Sequence, residues 1–238
     1  MTQRRFDAMV IGGGLVGAAI AWGLKREGLS VALLDEGDTA YRASRGNFGL
    51  VWVQSKGLGA PWYQRWTRQS AENWGEFARD LTQQTGQSLA LAQPGGVHLC
   101  LSDAEMSDRA ARMEQMKREA GNYGFDYRML DAREARDMLP GLGPAVVGAS
   151  FTPYDGHVSP LALLRSLHQG FTAMGGVYLP NLKINGIATA PRNFLLETSV
   201  GAIQAERAVL AAGLGNATLA PHFGLKAPVR PQRGQVLV

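Results

Sequence analysis

The chain has 238 residues, 45% of them apolar and 18% charged, with a formal net charge of +4. That length and balance fit one large or two modest globular domains and exclude a disordered chain. The charges are dispersed, which leaves no basic stripe for nucleic acid, and the lone Cys100 excludes an internal disulfide.

The first predicted element is an apolar strand, Phe6 to Ile11. A glycine turn follows, Gly12-Gly13-Gly14-Leu15-Val16-Gly17, and a helix begins at Leu15. A second apolar strand, Ser30 to Leu34, ends in Asp35 and Glu36. This order of strand, turn, helix, strand and acid is what a dinucleotide requires. Gly12 permits the tight turn, Gly14 lets the backbone approach a diphosphate, and Gly17 lets the helix pack close to the strand. The amides of Leu15, Val16 and their neighbours at the helix start face negative charge, and Asp35 is placed to accept ribose hydroxyls. An acid at that position favours a free 2′-hydroxyl, as in FAD or NAD, over a 2′-phosphate.

A loop from Gly37 to Pro61 precedes a predicted helix over Trp62 to Thr85, whose Trp66, Trp74, Phe77 and Leu81 form an apolar stripe expected in the core. Strand Val97 to Leu101 carries His98, expected to be a hydrogen-bonded structural histidine, and Cys100, expected to be a buried thiol. Ser102 with Glu105 reads as a capping box for a helix to Ala120, with Met106, Ala110, Met113 and Met116 inward. A short strand lies at Asp126 to Met129. Asp131 with Glu134 caps the next helix, and Val146 to Phe151 is a strand.

Ser159-Pro160 opens a helix with Leu161, Leu164, Leu167 and Phe171 inward. Strands Val177 to Leu179, Lys183 to Ile187, Phe194 to Thr198 and Ala205 to Gly213 precede a short helix at Asn216 to His222. The chain then stops inside the apolar run Val236-Leu237-Val238, so it is expected to be part of a longer protein. No apolar run spans a bilayer, and the first strand leaves no room for a signal peptide. The expected location is the cytoplasm, with peripheral attachment to the inner membrane face as the alternative.

Nucleotide-type elements come first and again late, around a mixed piece. The expected fold is α/β, a Rossmann-like domain with an interleaved α+β domain. Its nucleotide-binding part is placed at 1–91 and 150–226, and an incomplete substrate domain at 92–149 and 227–238.

Four blocks are more specific than the glycine turn: Ala43 to Gly57, Gln93 to Leu99, Tyr154 to Pro160 and Arg230 to Gln235. With the turn, they make the whole chain resemble the D-amino-acid oxidase (DAO) superfamily of FAD-dependent amine and amino-acid oxidoreductases. The group it most resembles contains flavin-bearing chains of opine oxidase and hydrogen cyanide synthase, together with D-hydroxyproline dehydrogenase.

The resemblance implies FAD as cofactor. It places Ser44 and Asn47 near the ribityl and diphosphate end, Gly49 and Leu50 near the flavin ring, the Ile184 backbone at adenine, and Ala212-Gly213 beneath the nucleotide. It implies oxidation of the CH–NH bond of a small amino acid, imino acid or opine by hydride transfer to flavin N5. It also implies heteromeric partner subunits, and a carboxylate-gripping arginine beyond Val238. His157, Gln54 and Lys56 are the candidate side chains for contact with substrate or flavin. A non-catalytic chain that holds FAD and needs a partner or missing segment for chemistry is the alternative.

Overall fold

The computed structural model describes residues 4–37, 43–232 and 234. In chain order the elements begin with β1 (Arg4–Ile11), α1 (Leu15–Arg26), β2 (Val31–Leu34) and β3 (Leu50–Val51). Next come α2 (Pro61–Glu72), α3 (Trp74–Thr85), β4 (Gly96–Cys100), α4 (Asp103–Ala120), β5 (Arg128–Asp131), α5 (Ala132–Met138), β6 (Gly148–Thr152) and β7 (Gly156–His157). The series closes with α6 (Pro160–Ala173), β8 (Val177–Leu179), β9 (Ile184–Ala190), β10 (Asn193–Thr198), β11 (Gly201–Leu210) and α7 (Asn216–Leu219).

Two compact units result. The first comprises 1–48, 81–89 and 160–238. It holds a six-stranded sheet in the order β8-β2-β1-β11-β10-β9. Strands β8, β2, β1 and β11 run parallel, and β9 and β10 join β11 as an antiparallel edge. The inner residues of β1 and all of β2 are buried, as in a parallel sheet covered on both faces. Met9, Ile11, Ala32, Leu34, Leu196 and Ile203 build the core. Ile11 aligns with Leu34 on one side and Leu210 on the other, so three strands end together at their carboxyl ends. Ligands of such sheets bind there.

The second unit comprises 49–80 and 90–159. It has an antiparallel sheet β4-β6-β5 and a two-stranded ribbon β3-β7. Leu130, Ala135 and Ala149 form a small core, and Met113 and Met116 of α4 are fully buried. Cys100 is buried as expected, and burial pushes its thiol pKa up.

The unit boundaries differ from those expected. Segments 49–80 and 150–159 cluster with the second unit because β3 pairs with β7 and because β6 is the central strand between β4 and β5. Residues 227–232 and 234 cluster with the first unit.

Three local expectations are also corrected. The single helix over 62–85 is two helices that meet at Asn73, where ψ opens to −6°, although i→i−4 bonds still run through that residue, from its amide to Gln69 O and from Phe77 N to its carbonyl. Asparagine favours such cap conformations over helix interiors. The aromatic stripe is split by that break. Leu81 is buried, but Trp62 and Trp66 are exposed, at 66% and 64%. On α6, Leu161 is exposed and Leu163 takes the buried face, because two residues turn the helix by roughly 200°. The caps at Ser102 and Asp131 both form; Ser102 Oγ accepts from Glu105 N, and Asp131 with Glu134 closes a full capping box. His98, expected to be a hydrogen-bonded structural histidine, is exposed on β4.

Tyr154 gives the second unit a pH signature. Its hydroxyl donates to Asp126 Oδ2 at 2.6 Å, and the Arg68 guanidinium lies 3.5 Å above its ring. Burial, and then the Asp126 carboxylate, push the phenol up to about 12. The raised value favours the neutral phenol in the folded state. Its stabilising contribution is whole below pH 10 and is lost as pH climbs from about 10 to 12. Ultraviolet titration of the wild type is expected to show one phenol ionising near pH 12 that Tyr154→Phe removes.

Candidate functional site

The glycine turn connects β1 to α1, and almost every group in it is committed. Gly12 has φ +112°, a backbone only glycine adopts readily, and its amide donates to Leu34 O at 2.7 Å. A Cβ on Gly12 would run into the Ala211 carbonyl, and one on Gly17 would run into the Gly12 carbonyl. The Gly13 amide donates to Asp35 Oδ2 at 2.7 Å. Gly14 is the N-cap of α1, and a Cβ there would lie 2.7 Å from Ser44 Oγ. Ser44 Oγ accepts from the Leu15 amide at 2.9 Å. The remaining amides of the helix start, on Gly14, Val16 and Gly17, have no intrahelical acceptor available to them. Val16 is 67% exposed, so this end of α1 is open to a ligand.

Asp35 is fixed at four points. Its Oδ1 accepts from Gly37 N at 2.8 Å and its Oδ2 from Gly13. Its backbone amide donates to Leu179 O, and its carbonyl accepts from Leu182 N. Glu36 beside it is exposed. Both line a cavity of about 410 Å³ at the carboxyl ends of β1, β2 and β11. Ile11, Leu34, Leu182, Ile184 and Leu219 supply apolar wall, while Asn181, Lys183 and Thr218 supply polar edge.

Gly12, Asp35, Glu36, Ile184 and Ala212 line one cavity. Gly213 does not line it. Gly215 takes that place, and Gly213, at φ +56°, begins a short 3₁₀ turn. Asn181, Lys183 and Thr218 are additions that the sequence pattern does not announce. The one available signal is their position after strand ends.

Ser44 and Asn47 form a local knot in the first unit. Asn47 Nδ2 donates to the carbonyls of Ala43 and Ser44, both at 3.1 Å, and so shapes the loop that carries Ser44.

Gly49 and Leu50 belong to the second unit. Gly49 has φ +75°, and its carbonyl accepts from Val158 N at 2.9 Å. Leu50 is half-exposed and pairs with His157. Leu50, Trp52, Tyr63, Trp66 and Trp74 line an aromatic recess of about 330 Å³.

The three candidates for contact with substrate or flavin differ in exposure. His157 and Lys56 have exposed side chains. Gln54 is fully buried. Its Nε2 donates to Asp155 Oδ2 at 2.8 Å and to Gly96 O at 3.1 Å. Its Oε1 accepts from Arg109 Nη2 and from Ser150 Oγ. Every hydrogen-bonding site of this amide is used inside the protein.

Arg109, 5% exposed, also donates to Ser150 Oγ at 2.7 Å and to Ser55 Oγ. Asp155 accepts from the Val53 and Gln54 amides. Burial pushes the Asp155 carboxyl above the ordinary carboxylate range, against the opposing pull of the Val53 amide, the Gln54 side chain and amide, and Arg109. Among the described residues there is no group of three or more His, Cys, Asp or Glu that could hold a metal, and no helix long and apolar enough to cross a membrane.

Comparison with known proteins agrees with this geometry. The family model for DAO, FAD dependent oxidoreductase, matches residues 7–238. One opine oxidase subunit, from Agrobacterium tumefaciens (strain Ach5), is 41% identical over 98% of the chain and 62% of its own length. Glycine oxidase of Bacillus licheniformis is 26% identical over 99% of the chain and 61% of its own. The solved structure of glycine oxidase from Geobacillus kaustophilus superposes with a TM-score of 0.83 at 27% identity, covering 94% of the chain and 59% of that protein. The chain therefore spans about three-fifths of the length of these relatives.

The residues fit the group this family uses. The glycine cradle excludes any Cβ and faces open helix amides, which suits a diphosphate. The Asp35 carboxylate suits ribose hydroxyls, and the apolar-walled cavity suits a base. The chain belongs to the DAO family of FAD-dependent oxidoreductases.

Proposed function

We propose that this chain is the dinucleotide-holding part of a flavoenzyme that oxidises the CH–NH bond of a small amino acid, imino acid or opine. The observation that carries the reading is the convergence of Gly12, Asp35, Ile184 and Ala212 on one cavity at the sheet's carboxyl edge. In this reading the α1 amides and Ser44 hold the diphosphate, and Asp35 holds the adenosine ribose. The Ile184 strand borders adenine, and Asn47 keeps the Ser44 loop in shape. The family resemblance assigns Gly49 and Leu50 to the flavin side, where a glycine backbone lets amides approach the ring. Bound flavin supplies the acceptor for the substrate hydride, the amine loses a proton to solvent, and water hydrolyses the resulting imine.

The substrate class rests on relatives named opine oxidase and glycine oxidase. The opine oxidase relative is named as one subunit of its enzyme, which supports a heteromeric assembly in which partner subunits complete the activity. A cytoplasmic setting, with peripheral contact at the inner membrane face, belongs to the same proposal.

A second reading is that this chain holds FAD without performing chemistry by itself. It is favoured by the buried Gln54 and by the exposed His157 and Lys56, which form no catalytic cluster. Anaerobic spectrophotometry of the FAD-loaded protein separates the two. Bleaching of the flavin bands by glycine, proline or an opine supports the first reading. Bound flavin that none of them bleaches overturns it in favour of the second.

Removing the acid tests the cofactor's orientation. Asp35→Ala is expected to weaken FAD binding by about 1–3 kcal/mol, roughly 5- to 150-fold, measured by flavin fluorescence titration. Unchanged affinity would detach the ribose from Asp35.

A further inference from the structure

We propose that His168 is a positioning residue for the cofactor: its imidazole locks the Gly13–Gly14 peptide so that the Gly14 amide faces the diphosphate. His168 sits in α6, within the first unit, and its Nε2 lies 2.7 Å from Gly13 O. A carbonyl oxygen only accepts, so Nε2 carries the proton. Nδ1 is then a bare lone pair. It is buried and has no hydrogen-bond partner among the described residues. A proton on Nδ1 would strand a buried donor, so the surroundings fix one tautomer. The ring also packs edge-on against Tyr178 of β8, with centroids 4.5 Å apart, which holds its plane.

The consequence follows from peptide geometry. In a planar trans peptide the C=O and the following N–H point in opposite directions. With Gly13 O drawn toward α6, the Gly14 N–H is aimed away from it. Neighbouring groups are committed: the Gly13 amide to Asp35, the Leu15 amide to Ser44, and Gly14 O to the Ala18 amide. Gly14 N–H, with the Val16 and Gly17 amides of the first helical turn, is left for a ligand. This peptide also lies between two glycines, where no Cβ opposes its rotation. A flip would turn the Gly13 oxygen toward the diphosphate and replace a donor with a negative dipole end. His168 holds the peptide against that flip.

The inference rests on the diphosphate lying at the start of α1, and the test separates the two. FAD, ADP and adenosine are titrated into wild type, His168→Val and His168→Gln. His168→Val is expected to bind FAD and ADP about tenfold more weakly, the scale of one lost hydrogen bond to a charged site. Adenosine, which has no diphosphate, is expected to bind unchanged. His168→Gln keeps an N–H donor and is expected to recover most of the ADP affinity. In the wild type, imidazole ¹⁵N shifts are expected to report the Nε2–H tautomer, a reading that needs no variant to fold.

Equal loss of ADP and adenosine, ADP binding that His168→Val leaves intact, or an Nδ1–H tautomer overturns the role of His168 alone. Absence of ADP binding by the wild type overturns the diphosphate placement, and the inference with it.

Discussion

Gly17→Ala is expected to unfold the first unit and abolish FAD binding, whereas Gly23→Ala, on the same helix, is expected to stabilise it. Both substitutions add one methyl group to α1. At Gly17 that methyl would enter the space of the Gly12 carbonyl oxygen, with the Ala211 side chain 3.2 Å away. The obstacle is backbone, so no rotamer change relieves it. The backbone has little freedom to retreat, because the Gly12 amide is held by Leu34 O and the Ala211 carbonyl fills the space where a Gly12 Cβ would lie. The helix must lift off the sheet, and the amides that meet the diphosphate lift with it. Overpacking of this kind costs about 3 kcal/mol or more.

At Gly23 nothing lies within 4 Å of the added methyl. Replacing a helix-interior glycine with alanine then gains about 0.5–1 kcal/mol. Urea unfolding and FAD titration read both effects. A Gly17→Ala protein with wild-type stability and affinity would show that α1 does not sit tightly against the turn.

The contrast shows what sequence can encode locally. Gly12, Gly14, Gly17 and Asp35 are legible because the dinucleotide site is built within one strand-helix-strand unit, where spacing along the chain fixes spacing in space. Capped helices are legible for the same reason: Ser102 and Asp131 act on amides two or three residues away.

What is not legible depends on pairings between distant segments. Nothing near Leu50 announces that it pairs with His157, so the pattern along the chain groups segment 49–80 with the nucleotide-type elements, whereas its contacts group it with the second unit. Asn181 and Lys183 line the cavity only because they lie on the connection that leaves β8, the neighbour of β2, for β9 at the opposite edge of the sheet. Trp66 reads as core because an aromatic stripe on a straight helix would be buried, and Asn73 breaks that helix. Arg109 leaves a usable trace. It lies on the stripe of Met106, Met113 and Met116, where a charge must either snorkel outward or find partners inside.

Those partners make Asp155 the most sensitive position of the second unit. Asp155→Ala is expected to cost about 3 kcal/mol, because the Val53 amide and Gln54 Nε2 lose their acceptor while Arg109 stays charged and buried. The informative variant is the near-isosteric Asp155→Asn. Gln54 stands between an obligate donor, Arg109, and an obligate acceptor, Asp155, and that pair fixes which end of its amide faces which neighbour. An asparagine that accepts from Val53 N turns its own NH₂ toward Gln54 Nε2, donor against donor. Flipping Gln54 to relieve the clash presents its NH₂ to Arg109 and recreates the clash on the other side.

Arg109→Met removes the second constraint. In the double variant Gln54 can turn its oxygen to the asparagine and its NH₂ to Ser150 Oγ, which accepts as readily as it donates, at the cost of its bond to Gly96 O. Asp155→Asn is therefore expected to cost about 1–2 kcal/mol in the wild-type background and somewhat less beside Arg109→Met, a coupling of about 0.5 kcal/mol in a double-mutant cycle. Additive effects would mean that the Gln54 amide does not relay the orientation set by Arg109 to Asp155. Strand β3 and the Val53–Gln54 backbone would then owe their placement to packing alone.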